Sequence, residues 1–233
     1  MIDIHTHLLF DVDDGCKKIE DSLEMIEKAI EVGITDLFVT PHYSFRRKFT
    51  VTYDVIEERF LLLKEAVAQK GLKVNLYLGS EIDETSDLNN FLENNMCHKL
   101  DNSKYVLIDF GTREAVIDDI CYELIVEGYI PIIAHPERYS YIKDFNTFKQ
   151  WKETGALIQI NASSLFASKQ IKKQVKKLIK NNLVDFVSSD SHRNSSTFEY
   201  FKQAYQYIEK KQGIEKAKMI FISNPKKIIL GEE

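Results

Sequence analysis

Histidines and carboxylates collect at the ends of apolar runs in this chain. His5 and His7 close MIDIHTH, His42 follows LFVTP, His135 follows YIPIIA, and His192 follows FVSSDS. Glu81 follows NLYLGS, Asp109 lies in YVLID, and Asp190 stands two residues before His192. Side chains alternate along a β-strand, so residues i and i+2 point the same way. His5 with His7, and Asp190 with His192, can therefore each present two ligands to one point. Imidazole and carboxylate donors suit manganese, iron or zinc better than a thiolate site would. The candidates exceed the needs of one ion and imply two or three, with at least one bridging carboxylate. Metal ions a few ångströms apart activate water and neutralise phosphate oxygens, the chemistry of ester hydrolysis. Arg138, three residues after His135 in HPERY, adds a planar donor fork for phosphate.

Each residue also has an ordinary structural explanation. Asp13 and Asp14 precede Gly15 and suit a turn, which is the expected role of Asp13. Glu81 and Asp109 could cap following helices, and Arg138 could pair with Glu137 on the surface. His98, in NNMCHKL, follows no strand and is expected to stand apart from the metal. The combination favours a site, because a structural role does not explain why five of six histidines sit at strand ends.

The elements that would position these groups alternate strand and helix along the chain. Strands are expected at 2–7, 34–40, 72–79, 103–110, 129–135, 156–161 and 183–189, and helices at 18–32, 52–70, 113–127, 144–154, 168–181 and 196–211. Residues 82–102 read as a polar, irregular stretch, a short helix or loop excursion, and a short helix near 214–220 precedes a tail ending in KKIILGEE. About seven βα units in this length fit an α/β fold. A (β/α) barrel is favoured over an open sheet, since nearly every strand ends in a candidate ligand and a barrel's C-terminal face receives every strand end.

Composition narrows the function. At 233 residues and 27.1 kDa, one domain spanning residues 1–233 is expected. A net charge of −5 gives no basis for wholesale nucleic-acid binding. No apolar run is long enough to span a bilayer, and the first strand begins at once; neither a membrane span nor a signal peptide is expected, and the location is expected to be cytoplasmic. Cys16, Cys97 and Cys121 form no CxxC pair and suit free thiols in a reducing compartment. None has an arginine six residues later, as a cysteine phosphatase loop requires; those positions are Ser22, Ser103 and Glu127.

HTH, VDDG, TPHY, the strand-end Glu81, HPERY and SDSH, in that order, resemble the PHP superfamily. More closely, they resemble the bacterial manganese-dependent tyrosine-protein phosphatases of capsule and exopolysaccharide operons. The motifs run from Met1 to His192, and the resemblance extends over essentially the whole length. It implies a distorted (β/α)7-type barrel, a trinuclear centre with manganese as the first choice of metal, and phosphotyrosine-containing tails of bacterial tyrosine kinases as substrates. By motif, His5, His7, Glu81 and Asp190 would hold one ion. Glu81 would bridge to a second completed by Asp109 and His135, and Asp14, His42 and His192 would hold a third. Two departures stand out. The family commonly has glutamate where this chain has Asp109. It often has asparagine where this chain has Arg193, and the family's downstream phosphate-binding arginine is missing, so Arg193 is a candidate replacement. The implied reaction is direct in-line attack by water with a phenolate leaving group and no covalent phosphoenzyme. A small-metabolite phosphatase of the histidinol-phosphate type, or a metal-binding regulatory protein without turnover, would use the same shell.

Two further segments invite partners. Residues 168–181 carry an apolar stripe of Ile171, Val175, Leu178 and Ile179 among six lysines. That pattern is first an outer helix with a solvated face, and secondarily a surface for peripheral association with an acidic kinase tail or an anionic membrane. YSFRRKF at 43–49 places Arg46, Arg47 and Lys48 directly after His42, flanked by Phe45 and Phe49. This loop is expected to recognise the phosphotyrosine ring or its acidic neighbours.

Overall fold

A computed structural model describes residues 1–232. The chain begins with β1 (Ile2–Asp3), α1 (Ile19–Glu31), β2 (Asp36–Val39), β3 (His42–Tyr43) and α2 (Tyr53–Gln69). It continues through β4 (Asn75–Leu78), β5 (Glu81–Asp83), α3 (Leu88–Glu93), β6 (Tyr105–Asp109), α4 (Ile117–Val126) and β7 (Ile130–Ala134). Then follow α5 (Asn146–Thr154), β8 (Leu157–Asn161), α6 (Lys169–Lys180), β9 (Phe186–Ser188), α7 (Ser196–Gln212), α8 (Ile214–Lys218) and α9 (Asn224–Leu230).

All strand pairings between these elements are parallel, in two sheets ordered β1-β2-β4 and β3-β5-β6-β7-β8-β9. Two strands run on from the smaller sheet into the larger, β2 into β3 and β4 into β5. Pro41 has no N–H to give a ladder, so one strand reads as β2 and then β3. Backbone bonds cross the break: Thr40 N donates to Thr6 O, Gly79 N to Val39 O, and Glu81 N to Pro41 O. At the other edge Thr6 forms a parallel bridge with Ser191, and Asp190 N donates to His5 O at 3.0 Å.

Alternation along the strands explains where the site lies. Phe38, Tyr105, Leu107, Ile132, Ala134 and Phe186 belong to a small apolar cluster on one face. Their neighbours Leu37, Val39, Val106, Ile108, Ile133 and Val187 pack in a larger cluster with the helices. Continuing the small-cluster face by steps of two reaches Asp109 from Leu107 and Asp190 from Phe186. An apolar floor thus carries polar groups at its C-terminal rim.

Some boundaries differ from expectation. The first strand ends at Asp3 and resumes only as the bridge at Thr6, because the backbone there turns to serve two neighbours. The stretch 82–102 holds a short helix, α3, as one of its two expected forms, and it opens on the end of a strand, β5, that was not expected. The C-terminal tail is helical: a wider turn at Met219–Ser223 joins α8 to α9, and Ile228 is buried against β1's cluster. No helix among the described residues is long and apolar enough to cross a membrane.

Candidate metal centre

Nine side chains from the strand ends and one following loop meet above the apolar floor. Glu81, at the start of β5, is the hub. Its Oε1 lies 2.8 Å from His135 Nε2 and 3.5 Å from His5 Nε2. Its Oε2 lies 2.6 Å from His42 Nδ1 and 3.4 Å from His7 Nε2. Asp190 Oδ1 stands 3.6 and 3.5 Å from His5 and His7 Nε2. Asp14 Oδ1 faces His192 Nε2 at 3.3 Å and His42 Nε2 at 3.5 Å. Asp109 Oδ1 is farther out, 3.9 Å from His135 Nδ1. Burial grades from His5, His7 and Glu81, which are sealed, to Asp14, whose side chain is 49% exposed.

Three groups of ligand atoms are each compact enough for one ion: His5, His7 and Glu81; Glu81, Asp109 and His135; and His7, Asp14, His42 and His192. The donor chemistry fits metal. His135 Nδ1 is buried and has no hydrogen-bond partner among the described residues. His5 and His7 also bring their Nε2 atoms within 3.2 Å of each other. Such lone pairs left unpaired in a dry site are costly unless a cation takes them.

Electrostatics say the same. Burial opposes the charge on Glu81, yet the fields of His42 and His5 and a hydrogen bond from His135 outweigh it and hold Glu81 well below the usual carboxylate range. Asp190 is likewise held low against burial by His5, His7 and His135. Burial works against the charged form of His7, but Asp13, Asp190 and Glu81 raise it well above an ordinary imidazole. Carboxylates that draw protons onto these histidines would answer a metal cation equally well.

The backbone contributes through strain. His135 and Asp190 both have left-handed conformations, with φ of 36° and 51°. Such geometry costs roughly 1 kcal/mol or more for a residue with a Cβ. It turns each side chain off its strand end and into the centre. Pro136, next after His135, starts a tight turn in which Arg138 N donates to His135 O.

The matching family is described as capsular polysaccharide synthesis, CpsB/CapC, and the match covers residues 1–230. The chain belongs to the CpsB/CapC family. It is 35% identical over 246 residues to the tyrosine-protein phosphatase CpsB of Streptococcus pneumoniae, covering 100% of this chain and 99% of that protein. It is 30% identical over 223 residues to the tyrosine-protein phosphatase YwqE of Bacillus subtilis (strain 168), covering 92% and 86%. Its structure superposes with TM-score 0.92, at 30% identity and covering 100% and 96% of the two chains, on one from a study of YwqE from Bacillus subtilis and CpsB from Streptococcus pneumoniae, described there as unique metal-dependent tyrosine phosphatases.

In this CpsB/CapC chain the structure brings His5, His7, Asp14, His42, Glu81, Asp109, His135, Asp190 and His192 together. Arg138 sits at the rim, its Nη1 donating to Asp190 Oδ2 at 3.1 Å rather than pairing with Glu137. Glu137 is buried and accepts from Asn161 N and Ser164 Oγ. Arg193 is exposed, and its charge is felt at the buried Cys16 thiol. His98 lies apart, stacked on Tyr53 at 3.8 Å between ring centroids. Burial pushes the Cys97 and Cys121 thiols up to about 12 and Cys16 up to about 11, which removes them as thiolate nucleophiles.

Several supporting groups escaped the sequence. Asp13 is no mere turn residue: its Oδ2 lies 2.7 Å from His7 Nδ1 and accepts from His42 N, while Oδ1 accepts from Gly15 N. Gln159 Oε1 accepts from His135 N and faces His5 Nδ1, and its amide donates to Asn161, which donates to Asp190. Tyr139 braces two strand ends, accepting from Phe110 N and donating to Ala134 O. Gln159 and Asn161 follow Leu157 by steps of two on β8, a parity signal that was readable. Arg47 turns inward: Nη1 faces His42 Nε2 at 3.0 Å, and Nη2 pairs with Asp109 and with Asp83. Arg46 binds Asp83 as well, so the basic loop is tied to the centre's edge.

Proposed function

We propose that this protein is a metal-dependent protein-tyrosine phosphatase acting on phosphotyrosine in the tail of a bacterial tyrosine kinase. The observation that carries the proposal is Glu81, a buried carboxylate whose two oxygens together face four histidines, His135 and His5 on Oε1 and His42 and His7 on Oε2. His5, His7, Glu81 and Asp190 would hold one ion; Glu81, Asp109 and His135 a second; Asp14, His42 and His192 a third. Manganese is the first choice, with iron or zinc as alternatives for the same nitrogen and oxygen donors. When bound, the ions supply water activation and neutralise phosphate oxygens.

The chain's own residues do the rest. Asp13 orients His7, and Gln159 orients His5 and supports His135, so the imidazoles offer their remaining nitrogens inward. Arg138, exposed at the rim, gives phosphate oxygens a two-pronged donor. Arg193 is a more distant candidate for that task. Tyrosine leaves with an oxygen of pKa near 10, so no buried general acid is required.

The proposed architecture is a single domain, residues 1–233, whose seven composite strands close as a distorted barrel. Two backbone bonds beyond β1 support closure: Asp190 N donates to His5 O, and His7 N donates to Ser191 O. The three buried free thiols support a cytoplasmic site of action. Phosphate release from a phosphotyrosyl peptide, measured after manganese, iron or zinc reconstitution, tests the proposal. Rates matching those of chelated protein would sink it, as would turnover of histidinol phosphate faster by orders of magnitude.

A further inference from the structure

A cavity of about 480 Å³ runs from Arg138 along the face of α6. Arg138 donates to Asp190, so one end of the cavity opens on the rim of the metal centre. Gln170, Lys173, Gln174 and Lys177 line one wall at the i, i+3, i+4, i+7 spacing of a single helix face. Val175, Leu178 and Ile179 turn the opposite way into the core, which fixes that orientation. Lys177 Nζ stands 3.6 Å from the centroid of the Phe145 ring, a cation held against the far wall. Lys143 adds another at that wall.

Charge in this groove runs against the rest of the molecule. Arg138, Lys143, Lys173 and Lys177 line it, whereas Asp144 is its one exposed acid among the described residues. Glu137 also lines it, but is buried, with its Oε1 accepting from Asn161 N and Ser164 Oγ. A basic groove on a chain of net charge −5 is complementary to an acidic occupant. A peptide whose phosphotyrosine sits at the metals must leave past the rim, and its extended backbone covers about 3.3–3.6 Å per residue. A few residues therefore suffice to enter the groove. A bilayer surface, being flat, would meet the outer lysines but not the cavity that reaches Arg138.

We propose that this groove seats acidic side chains flanking the phosphotyrosine of the substrate, an inference that rests on the phosphatase reading of the metal centre. The test uses manganese-loaded full chain and two fluorescent peptides bearing a non-hydrolysable phosphonate in place of phosphotyrosine phosphate. One peptide has glutamates on both sides and the other has alanines. Anisotropy titration should show the acidic peptide binding roughly tenfold more tightly, the scale of two or three partly exposed charge pairs. That ratio should fall towards unity in K173E/K177E and persist in K202E/K210E, whose lysines are exposed on α7 away from the groove. An unchanged ratio in K173E/K177E overturns the proposal, and an equal fall in both variants reduces it to a general field effect and overturns it too. Loss of sedimentation with phosphatidylserine vesicles alone, with the peptide ratio intact, would assign the lysines to a lipid surface instead. Failure of the phosphatase reading shows separately, as absence of phosphate release by the wild type from the matching phosphotyrosyl peptides.

Discussion

His7 has Asp13 Oδ2 2.7 Å from its Nδ1, while its Nε2 faces Glu81 and Asp190 at 3.4 and 3.5 Å. One ring nitrogen is thus engaged by a buried carboxylate, and the other is turned to the centre. A carboxylate on Nδ1 selects the tautomer whose Nε2 lone pair is free for metal. Asp13→Asn keeps the volume but offers an amide N–H that favours the opposite tautomer. We expect manganese affinity to fall by about 10–100-fold, the usual effect of removing such a partner. Calorimetric titration giving wild-type affinity would show that Asp13 serves only the turn.

Gly15 lies against the same histidine. A Cβ there would fall 2.0 Å from His7 O and 2.8 Å from His7 Cβ, so the backbone must shift to admit it. Gly15→Ala should destabilise the fold by about 1–3 kcal/mol and lower metal occupancy at the ions His7 serves. Urea melts with and without manganese would check both effects. A wild-type midpoint and full occupancy would mean that the segment yields freely.

Much of this centre was written in alternation. Phe38 to His42, Tyr77 to Glu81, and Leu107 to Asp109 keep one parity from an apolar floor to a polar rim, and the sequence shows that parity without any structure. The same parity extends to Gln159 and Asn161. Other features left no local trace. Asp13 in VDDG satisfies turn chemistry completely, so nothing in the sequence marks its second role at His7. Positive φ at His135 and Asp190 is imposed by tertiary bonds, not by glycine. The break that divides one strand into β2 and β3 depends on Pro41 meeting neighbouring strands in register. Arg47 belongs to a charged loop whose inward turn is decided by Asp83 and Asp109, both distant in sequence.

His98 sets an acid limit on stability. Burial lowers its pKa from 6.5 to about 4. Between those values the unfolded chain binds a proton that the folded protein refuses, so stability rises with pH across the window and is lost as pH falls through it. From neutrality to about pH 5, this group alone should remove about 2 kcal/mol. His98→Gln should flatten that part of the profile while leaving phosphatase activity largely intact. Denaturant melts at the two pH values provide the check, and parallel losses in both proteins would refute the assignment.

Asp109 is held by Gly111 N at 2.7 Å and by Arg47, yet stands 3.9 Å from His135. Asp109→Glu lengthens the arm towards its proposed ion. We expect activity to be retained and manganese binding at that position to be equal or tighter. Loss of one bound ion per chain, counted by elemental analysis, would show that Asp109 does not ligate directly.

Arg47 was expected to read the peptide from a loop, but its guanidinium spans His42, Asp83 and Asp109. Burial opposes its charge, yet Asp83, Glu81 and Asp109 more than compensate and raise its pKa. A cation so placed acts on whatever phosphate reaches the centre, whether or not a peptide is attached. Arg47→Ala should therefore raise KM for a small aryl phosphate and for a phosphotyrosyl peptide by similar factors, on the order of tenfold for one lost charge-assisted bond. Arg46→Ala, whose guanidinium touches Asp83 from outside, should change both far less. Steady-state kinetics on the two substrates separate the cases: a KM change confined to the peptide would return Arg47 to the role of a peptide-reading loop residue.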